Sequence, residues 1–128
     1  MLLLMNNARI AVGFEALGLA ESAYRLAWDY AHERRSMGKV IAHHELVADM
    51  LDEMKTDIQA IRALSMRGAQ DTELYNRLRQ RMKYFTDPES AQGKALAKRL
   101  KTLKERSRAI TPLIKFAGAE KAVEIARR

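Results

Sequence analysis

The sequence predicts an all-α fold, in which helices pack as a bundle around one core. Apolar residues recur three or four positions apart along almost the whole chain, which is the spacing of a buried helix face. No stretch alternates apolar and polar residues for long enough to predict a strand. The 128 residues include only 6 Gly and 2 Pro, and 48% are hydrophobic, so one domain with a buried core is expected.

The first predicted helix spans residues 3–33 and is apolar on two sides, which is typical of a central helix. Gly13 and Gly18 lie inside it, and each costs roughly 1 kcal/mol relative to Ala. We expect both glycines to allow close helix crossing. The two apolar stripes are Ile10, Phe14, Leu17, Tyr24 and Trp28, and Val12, Leu19, Ala23, Leu26 and Tyr30.

A short connection should follow, with Gly38 in the left-handed conformation that ends a helix. The second predicted helix spans residues 43–68 and has a single apolar seam. Because the connection is short, helices one and two should form an antiparallel pair. The seam consists of Val47, Met50, Leu51, Met54, Ile58, Ile61 and Leu64.

Residues 73–110 are predicted to be a basic helical insertion within the single domain. Residues 73–108 contain eleven Lys or Arg against four Asp or Glu, which accounts for the whole net charge of +7. A short amphipathic helix over residues 74–85 and a basic helix from Thr86 to about Ala109 are expected there. Pro112 should end that helix, because proline lacks the backbone donor, and Thr111 should begin a last helix with Leu113, Phe116, Val123 and Ile125 as core residues.

Several kinds of chemistry are not expected. Without Cys there is no disulfide framework and no thiolate ligand. Residues 1–5 are apolar but too few for a signal segment or a membrane span. A di-iron site needs two pairs with a carboxylate three residues before a His, and only Asp29 and His32 have that spacing. No metal site is therefore predicted.

The junction between the first two helices carries a longer motif. Residues 32–45, read as HERRSMGKVIAHHE, resemble the ER-x-x-FGK-x-I-x-x-H-Q segment of the acyl-CoA dehydrogenase family. Residues 8–13 resemble the Arg-containing start of the same helix in that family. Residues 119–126 are similar to the helix before the family's glycine-rich GG-x-GY loop. The resemblance implies a C-terminal four-helix-bundle domain that is truncated, so that residues 1–128 form a single, partial domain.

The resemblance also implies a reaction and its partners. Family members oxidise an acyl-CoA thioester to the 2,3-enoyl-CoA, with a Glu removing the α-proton and FAD accepting the hydride. The implied partners are an acyl-CoA substrate, further copies of the chain in a homo-oligomer, and an electron-transfer flavoprotein. The implied location is the bacterial cytoplasm or the mitochondrial matrix.

Five residues match the family's FAD-contacting positions: Arg34, Ser36, Met37, His44 and Glu45. Arg34 matches the Arg that binds the FAD pyrophosphate of the neighbouring subunit. The alternative is that Arg34 only neutralises the C-terminal end of the first helix. Met37 replaces a Phe and loses a flat stacking surface. Glu45 replaces a Gln and places an anion near an anionic cofactor.

Four residues match the family's acyl-CoA entrance: Asn6, Asn7, Ala8 and Arg9. The alternative for Arg9 is a solvated helix end. Ala8 occupies the position of the catalytic Glu in the branched-chain and isovaleryl-type members, and its side chain cannot accept a proton. The base is therefore expected on a later loop outside this chain, and the chain alone is expected to be inactive.

Two other functions stay open on the sequence. The basic segment at residues 73–108 would suit a nucleic acid or another anionic surface, although it lacks interleaved stacking aromatics. A structural bundle made for self-association is the other reading, because missing helices would leave residues such as Phe116 and Val123 partly uncovered.

Overall fold

The computed structural model describes residues 2–87 and 89–128, with side chains from Asn7 onward. Three long helices build the fold, so the all-α prediction is confirmed with three helices rather than four. Two short strands and a turn of 3-10 helix connect the first two helices. The elements are α1 (Leu2–Glu33), β1 (Arg35–Ser36), β2 (Lys39–Val40), the 3-10 helix (Ile41–His43), α2 (Glu45–Lys83) and α3 (Ala91–Arg127).

The helices pack so that each contacts the other two. The short connections make α1 antiparallel to α2, as predicted, and α2 antiparallel to α3. Ile114 of α3, only 1% exposed, fills the centre between the two glycines Gly13 and Gly68. A Cβ atom at either glycine would overlap the Ile114 side chain, so both allow close helix approach. Gly18 differs from the prediction, because among the described residues nothing lies within 4 Å of where its Cβ would be.

The second helix does not end at Gly68, as the sequence predicted, but continues to Lys83. Gly68 is a packing residue rather than a helix end, since α3 crosses directly over it. Beyond it the buried seam continues through Asp71 and Thr72. The expected separate helix over residues 74–85 is therefore the end of α2.

The third helix passes through Pro112 without ending, so the predicted break at Thr111 is wrong. Thr111 and Ile114 are both buried against the other helices on either side of the proline, and this packing outweighs the missing hydrogen bond. The helix begins at Ala91 rather than near Thr86, because the Ser90 hydroxyl caps it by accepting from the Gly93 N–H at 3.1 Å. Pro88, expected in the first turn of the predicted basic helix, lies outside the described residues.

Only part of the predicted core of the last helix is buried. Ile125 is buried, whereas Leu113, Phe116 and Val123 are 51%, 66% and 46% exposed. The buried centre also contains polar groups: the Thr72 and Ser107 hydroxyl oxygens lie 3.0 Å apart and share a hydrogen bond. Residues 73–110 form the end of α2, the turn and the first half of α3, and their separation as an insertion stays a prediction. None of the described helices is long and apolar enough to cross a membrane.

Candidate cofactor-contacting hairpin

The connection between α1 and α2 is a tight antiparallel hairpin. Arg35 pairs with Val40 and Ser36 pairs with Lys39, which leaves Met37 and Gly38 as a two-residue turn. Both turn residues have positive φ, at 50° and 82°, which is the requirement of a type I′ turn. Gly38 is left-handed as predicted, but it closes a hairpin instead of capping a helix. The turn places Met37 at the tip, where it is 92% exposed.

Three hydrogen bonds connect the hairpin and its flank to the 3-10 turn and to His44, the residue before α2. The Ile41 N–H donates to the Arg34 carbonyl at 2.9 Å, and the Lys39 ammonium donates to the His43 carbonyl at 2.8 Å. The His44 Nε2 atom lies 3.2 Å from the Ser36 carbonyl oxygen. A carbonyl can only accept, so this contact assigns the ring proton to Nε2 and leaves Nδ1 as an acceptor when the ring is neutral.

The structure brings the predicted cofactor residues onto this one hairpin and its flanks. Ser36 and His44 are in contact, while Arg34, Met37 and Glu45 are exposed. Within the described part of the chain the Arg34 guanidinium makes no ion pair, whereas the Lys39 ammonium is bound to a carbonyl. Glu45 lies in the first turn of α2, where a carboxylate is favoured by the helix dipole.

An aromatic row beside the hairpin was not recognised in the sequence as a surface. The Trp28 ring centroid lies 5.8 Å from that of Tyr24 and 4.2 Å from that of His32. The sequence assigned Tyr24 and Trp28 to a core stripe, but Trp28 is 42% exposed. Partial burial raises the pKa of the Tyr24 hydroxyl, and the negative charge of Asp52 adds to this. The i, i+4 spacing of the three rings was the signal that could have identified the row.

The predicted substrate residues lie at the other end of α1. Asn7 lines a groove of about 330 Å³ between α1 and α2, together with Thr72, Glu73 and Asn76. Ala8 is exposed and Arg9 is half-buried, and neither lines this groove, while the Asn6 side chain lies outside the described residues. Asn7 and Arg34 are separated by roughly 40 Å along the helix, at 1.5 Å per residue. One ligand of ordinary size therefore cannot bridge both regions of a single copy.

This geometry defines an all-helical domain that presents a cationic hairpin at one end and a groove of mixed polar and apolar lining at the other. The family model described as "Acyl-CoA dehydrogenase, C-terminal domain" matches residues 1–87, which include α1, the hairpin and α2. The chain belongs to the acyl-CoA dehydrogenase family, which confirms the resemblance found in the sequence. The match does not extend to residues 119–126, so the resemblance of that block stays a prediction.

Curated relatives are similar over about half of the chain. A segment of 60 residues, 47% of the chain, is 42% identical to acryloyl-CoA reductase (NADH) of Anaerotignum propionicum, of which it covers 15%. Acyl-CoA dehydrogenase of Bacillus subtilis is 37% identical over 57% of the chain and 18% of its own length. Caffeyl-CoA reductase-Etf complex subunit CarC of Acetobacterium woodii is 34% identical over 51% of the chain and 17% of its own length. No solved structure matches.

Proposed function

We propose that the chain is the FAD-contacting helical part of a longer acyl-CoA dehydrogenase that converts an acyl-CoA thioester to the 2,3-enoyl-CoA. The family assignment supports this, as does the small share of each relative that the matched segments cover. The observation that carries the proposal is the exposed Arg34 guanidinium on a rigid hairpin. Its lack of an ion pair within the described residues fits a site for an external dianion such as the FAD pyrophosphate.

Each of these hairpin residues has its own proposed role in holding FAD, which accepts the hydride when it is bound. Arg34 binds the pyrophosphate of the cofactor of a neighbouring subunit through a charge-assisted fork. His44 holds the Ser36 carbonyl and so fixes the hairpin. Met37 presents an apolar side chain to the cofactor in place of a flat ring. Glu45 stabilises the start of α2 rather than contacting the anionic cofactor.

The groove beside Asn7 is proposed as part of the acyl-CoA entrance, with Asn6, Ala8 and Arg9 on its flank. The half-buried Arg9 supplies a positive charge toward the phosphates of the CoA moiety. Ala8 cannot remove the α-proton, so the base comes from a Glu outside this chain. A homo-oligomer and an electron-transfer flavoprotein are the partners proposed for the whole protein. One relative, by its name, is a subunit of a reductase-Etf complex.

The test uses the whole protein that contains this chain and compares two adjacent arginines. Arg34→Ala removes the proposed pyrophosphate contact, whereas Arg35→Ala removes another exposed charge, from the paired strand. Losing a charged hydrogen bond costs roughly 1.5–3 kcal/mol, which is about a tenfold to hundredfold loss of FAD affinity for Arg34→Ala. Arg35→Ala should retain FAD. Equal losses in both variants, or in neither, would contradict the assignment.

A third variant distinguishes the proposed substrate contact from the proposed cofactor contact. Arg9→Ala should impair turnover or thioester binding while the flavin content, measured by absorbance, stays near normal. Arg34→Ala should lower flavin content without changing which acyl chain is preferred. If Arg9→Ala loses flavin as strongly as Arg34→Ala, the transfer of residue roles from the family fails and only the family assignment survives.

A further inference from the structure

A narrow groove lies between the second half of α2 and the first half of α3. Two adjoining cavities of about 180 Å³ each form it, and they share Leu74, Arg99 and Leu103 among their lining residues. We call it the α2–α3 groove. From Arg67 to Arg81 it extends about 21 Å along α2, at 1.5 Å per residue. It shares no lining residue with the groove of about 330 Å³ between α1 and α2.

The floor of the α2–α3 groove is apolar. Leu103 is buried and Leu78 is half-buried, while Leu74 is 37% exposed. Leu74 and Leu78 therefore keep part of their apolar surface in contact with water. Apolar side chains of a ligand in the groove would remove that surface from water, which is favourable.

The rims of the α2–α3 groove are basic. Five arginines line it against one carboxylate, Asp71, which is buried and lies 3.3 Å from Arg67. Arg77 is also paired, with Glu73 at 2.6 Å. The remaining three arginines are exposed, and no ion pair joins them to any residue that the structure describes. They are Arg81 on α2, and Arg99 and Arg106 on α3.

An apolar floor between cationic rims favours one class of occupant. An acidic amphipathic helix has an apolar stripe with carboxylates on either side, so it matches both the floor and the rims. A single-stranded nucleic acid would need aromatic side chains on which its bases stack, and the described residues that line the groove include none. A membrane surface is too broad to enter a groove between two helices, so it would contact the arginines and leave the leucines uncovered.

We propose that the α2–α3 groove binds an acidic amphipathic helix of a partner protein. Apolar side chains of that helix pack on Leu74 and Leu78, and its Asp or Glu side chains pair with the three unpaired arginines on the two rims. Arginine suits this role because its guanidinium binds a carboxylate through two parallel hydrogen bonds. A partner helix of about 14 residues has the same length as the groove.

The α2–α3 groove is independent of the proposed cofactor and substrate residues. The Arg34 hairpin precedes the other end of α2, and Asn7 lines the separate groove beside α1. The family model matches residues 1–87, so the α3 rim lies outside the matched residues. Binding of the partner helix requires neither flavin nor acyl-CoA, so its test and the flavin test fail independently.

The binding test uses the whole protein that contains this chain and a fluorescein-labelled probe peptide. The probe is a designed helix of about 14 residues, with leucines three and four positions apart on one face, glutamates on both sides of them and alanines elsewhere. Fluorescence anisotropy should show saturable binding that weakens with added salt. A scrambled peptide of the same composition, whose leucines do not share a face, should bind at least about tenfold more weakly.

Two pairs of charge reversals locate the binding surface. Arg81→Glu with Arg99→Glu changes both rims and should weaken probe binding at least about tenfold. Arg79→Glu with Lys101→Glu makes the same charge change two residues away on the same helices, at exposed positions that do not line the groove. This control should weaken binding by less than about threefold, because solvated charges outside the groove are screened.

Circular dichroism and thermal unfolding check that each variant folds. If the reversal at the rims unfolds the protein, the milder Arg81→Gln with Arg99→Gln replaces it and should also weaken probe binding more than the control does. A whole protein that does not bind the probe would overturn the inference. So would equal binding of the scrambled peptide, or equal losses in the rim variant and its control.

Two further ligands distinguish the partner helix from other anions. Single-stranded RNA, and vesicles of phosphatidylglycerol with phosphatidylcholine, should each bind more weakly than the probe at the same salt concentration. Tighter binding of either one, lost with Arg81→Glu and Arg99→Glu, would overturn the inference. The arginines would then bind a nucleic acid or a membrane surface instead of a helix.

Discussion

Gly13 of α1 and Ile114 of α3 are in such close contact that a Cβ atom on Gly13 would overlap the Cγ2 atom of Ile114. A Cβ atom on Gly68 of α2 would likewise overlap the Cδ1 atom of Ile114. Ile114 thus fills a hole formed by two glycines on two different helices. The central crossing of all three helices depends on the absence of side chains at these positions.

Gly13→Ala is expected to destabilise the bundle by about 1–3 kcal/mol, because the β-branched Ile114 side chain must shift within a packed core. Gly18→Ala is the matched control in the same helix. It meets no described atom within 4 Å, so it should stabilise α1 by up to roughly 1 kcal/mol through helix propensity. Urea unfolding of both variants measures the difference. Equal effects of the same sign would contradict the packing role of Gly13.

Pro112→Ala is expected to raise the unfolding free energy by about 1–3 kcal/mol. Pro112 lies inside α3 and is exposed, so alanine restores a backbone hydrogen bond and leaves no cavity. Thermal unfolding should show the gain, while Lys115→Ala on the next turn should change stability by less than about 0.5 kcal/mol. A loss of stability would mean that the proline shapes α3 in a way the packing requires.

Replacing residues 73–110 with a short Gly/Ser linker is expected to retain most helical content in the rest of the chain. Gly13, Gly68 and Ile114, which form the central crossing, lie outside the replaced segment. The replacement removes Leu103 and Ser107, which are buried, so a lower melting temperature is expected. Circular dichroism and thermal unfolding measure both effects. If cooperative unfolding disappears, the segment is part of the core and not an insertion.

Lys121→Met is expected to remove a pH-dependent part of the stability. The contact with Lys121 lowers the pKa of the Glu124 carboxyl, so its contribution exists above the ordinary value of 4.5 and disappears as pH falls through the lowered pKa. The contact with Glu124, followed by Asp57, raises the pKa of Lys121, so that contribution disappears only as pH rises beyond 10.5.

Melting temperatures of wild type and Lys121→Met should therefore differ slightly near neutral pH and converge in strong acid. The Lys121 and Glu124 side chains are 41% and 46% exposed, so the difference should also shrink with added salt. Lys101→Met, another exposed lysine of α3, is the control and should show no such convergence. A difference between wild type and Lys121→Met that stays constant down to strong acid would contradict the role of Glu124.

The sequence predicted the elements whose signals are local. Periodic apolar residues located α1 and most of α2, and Gly38 located the turn. The failures lie where tertiary packing outweighs a local signal: Pro112 stays helical because Thr111 and Ile114 are buried around it. In the sequence Gly68 resembles a helix end, but in the structure it packs against Ile114. A single sequence does not distinguish a glycine that ends a helix from one that allows close packing.

The candidate site, like the fold, was predicted where its signal is local and not where it depends on packing. The motif located the hairpin residues, and the structure placed Ser36 against His44 as a hydrogen-bonded pair. The exposure of Trp28 could not be predicted, because a helix that is apolar on two sides does not reveal which side lacks a neighbour.

The single helix α1 carries the Asn7 groove at one end and leads directly into the Arg34 hairpin at the other. A one-residue insertion or deletion between them would turn one end relative to the other by about 100° and change their spacing by about 1.5 Å. Homologues of this chain should consequently vary freely in the turn after α2 while keeping the number of residues in α1 constant. An alignment of homologues should therefore show a conserved length of α1 even at positions where the residues differ.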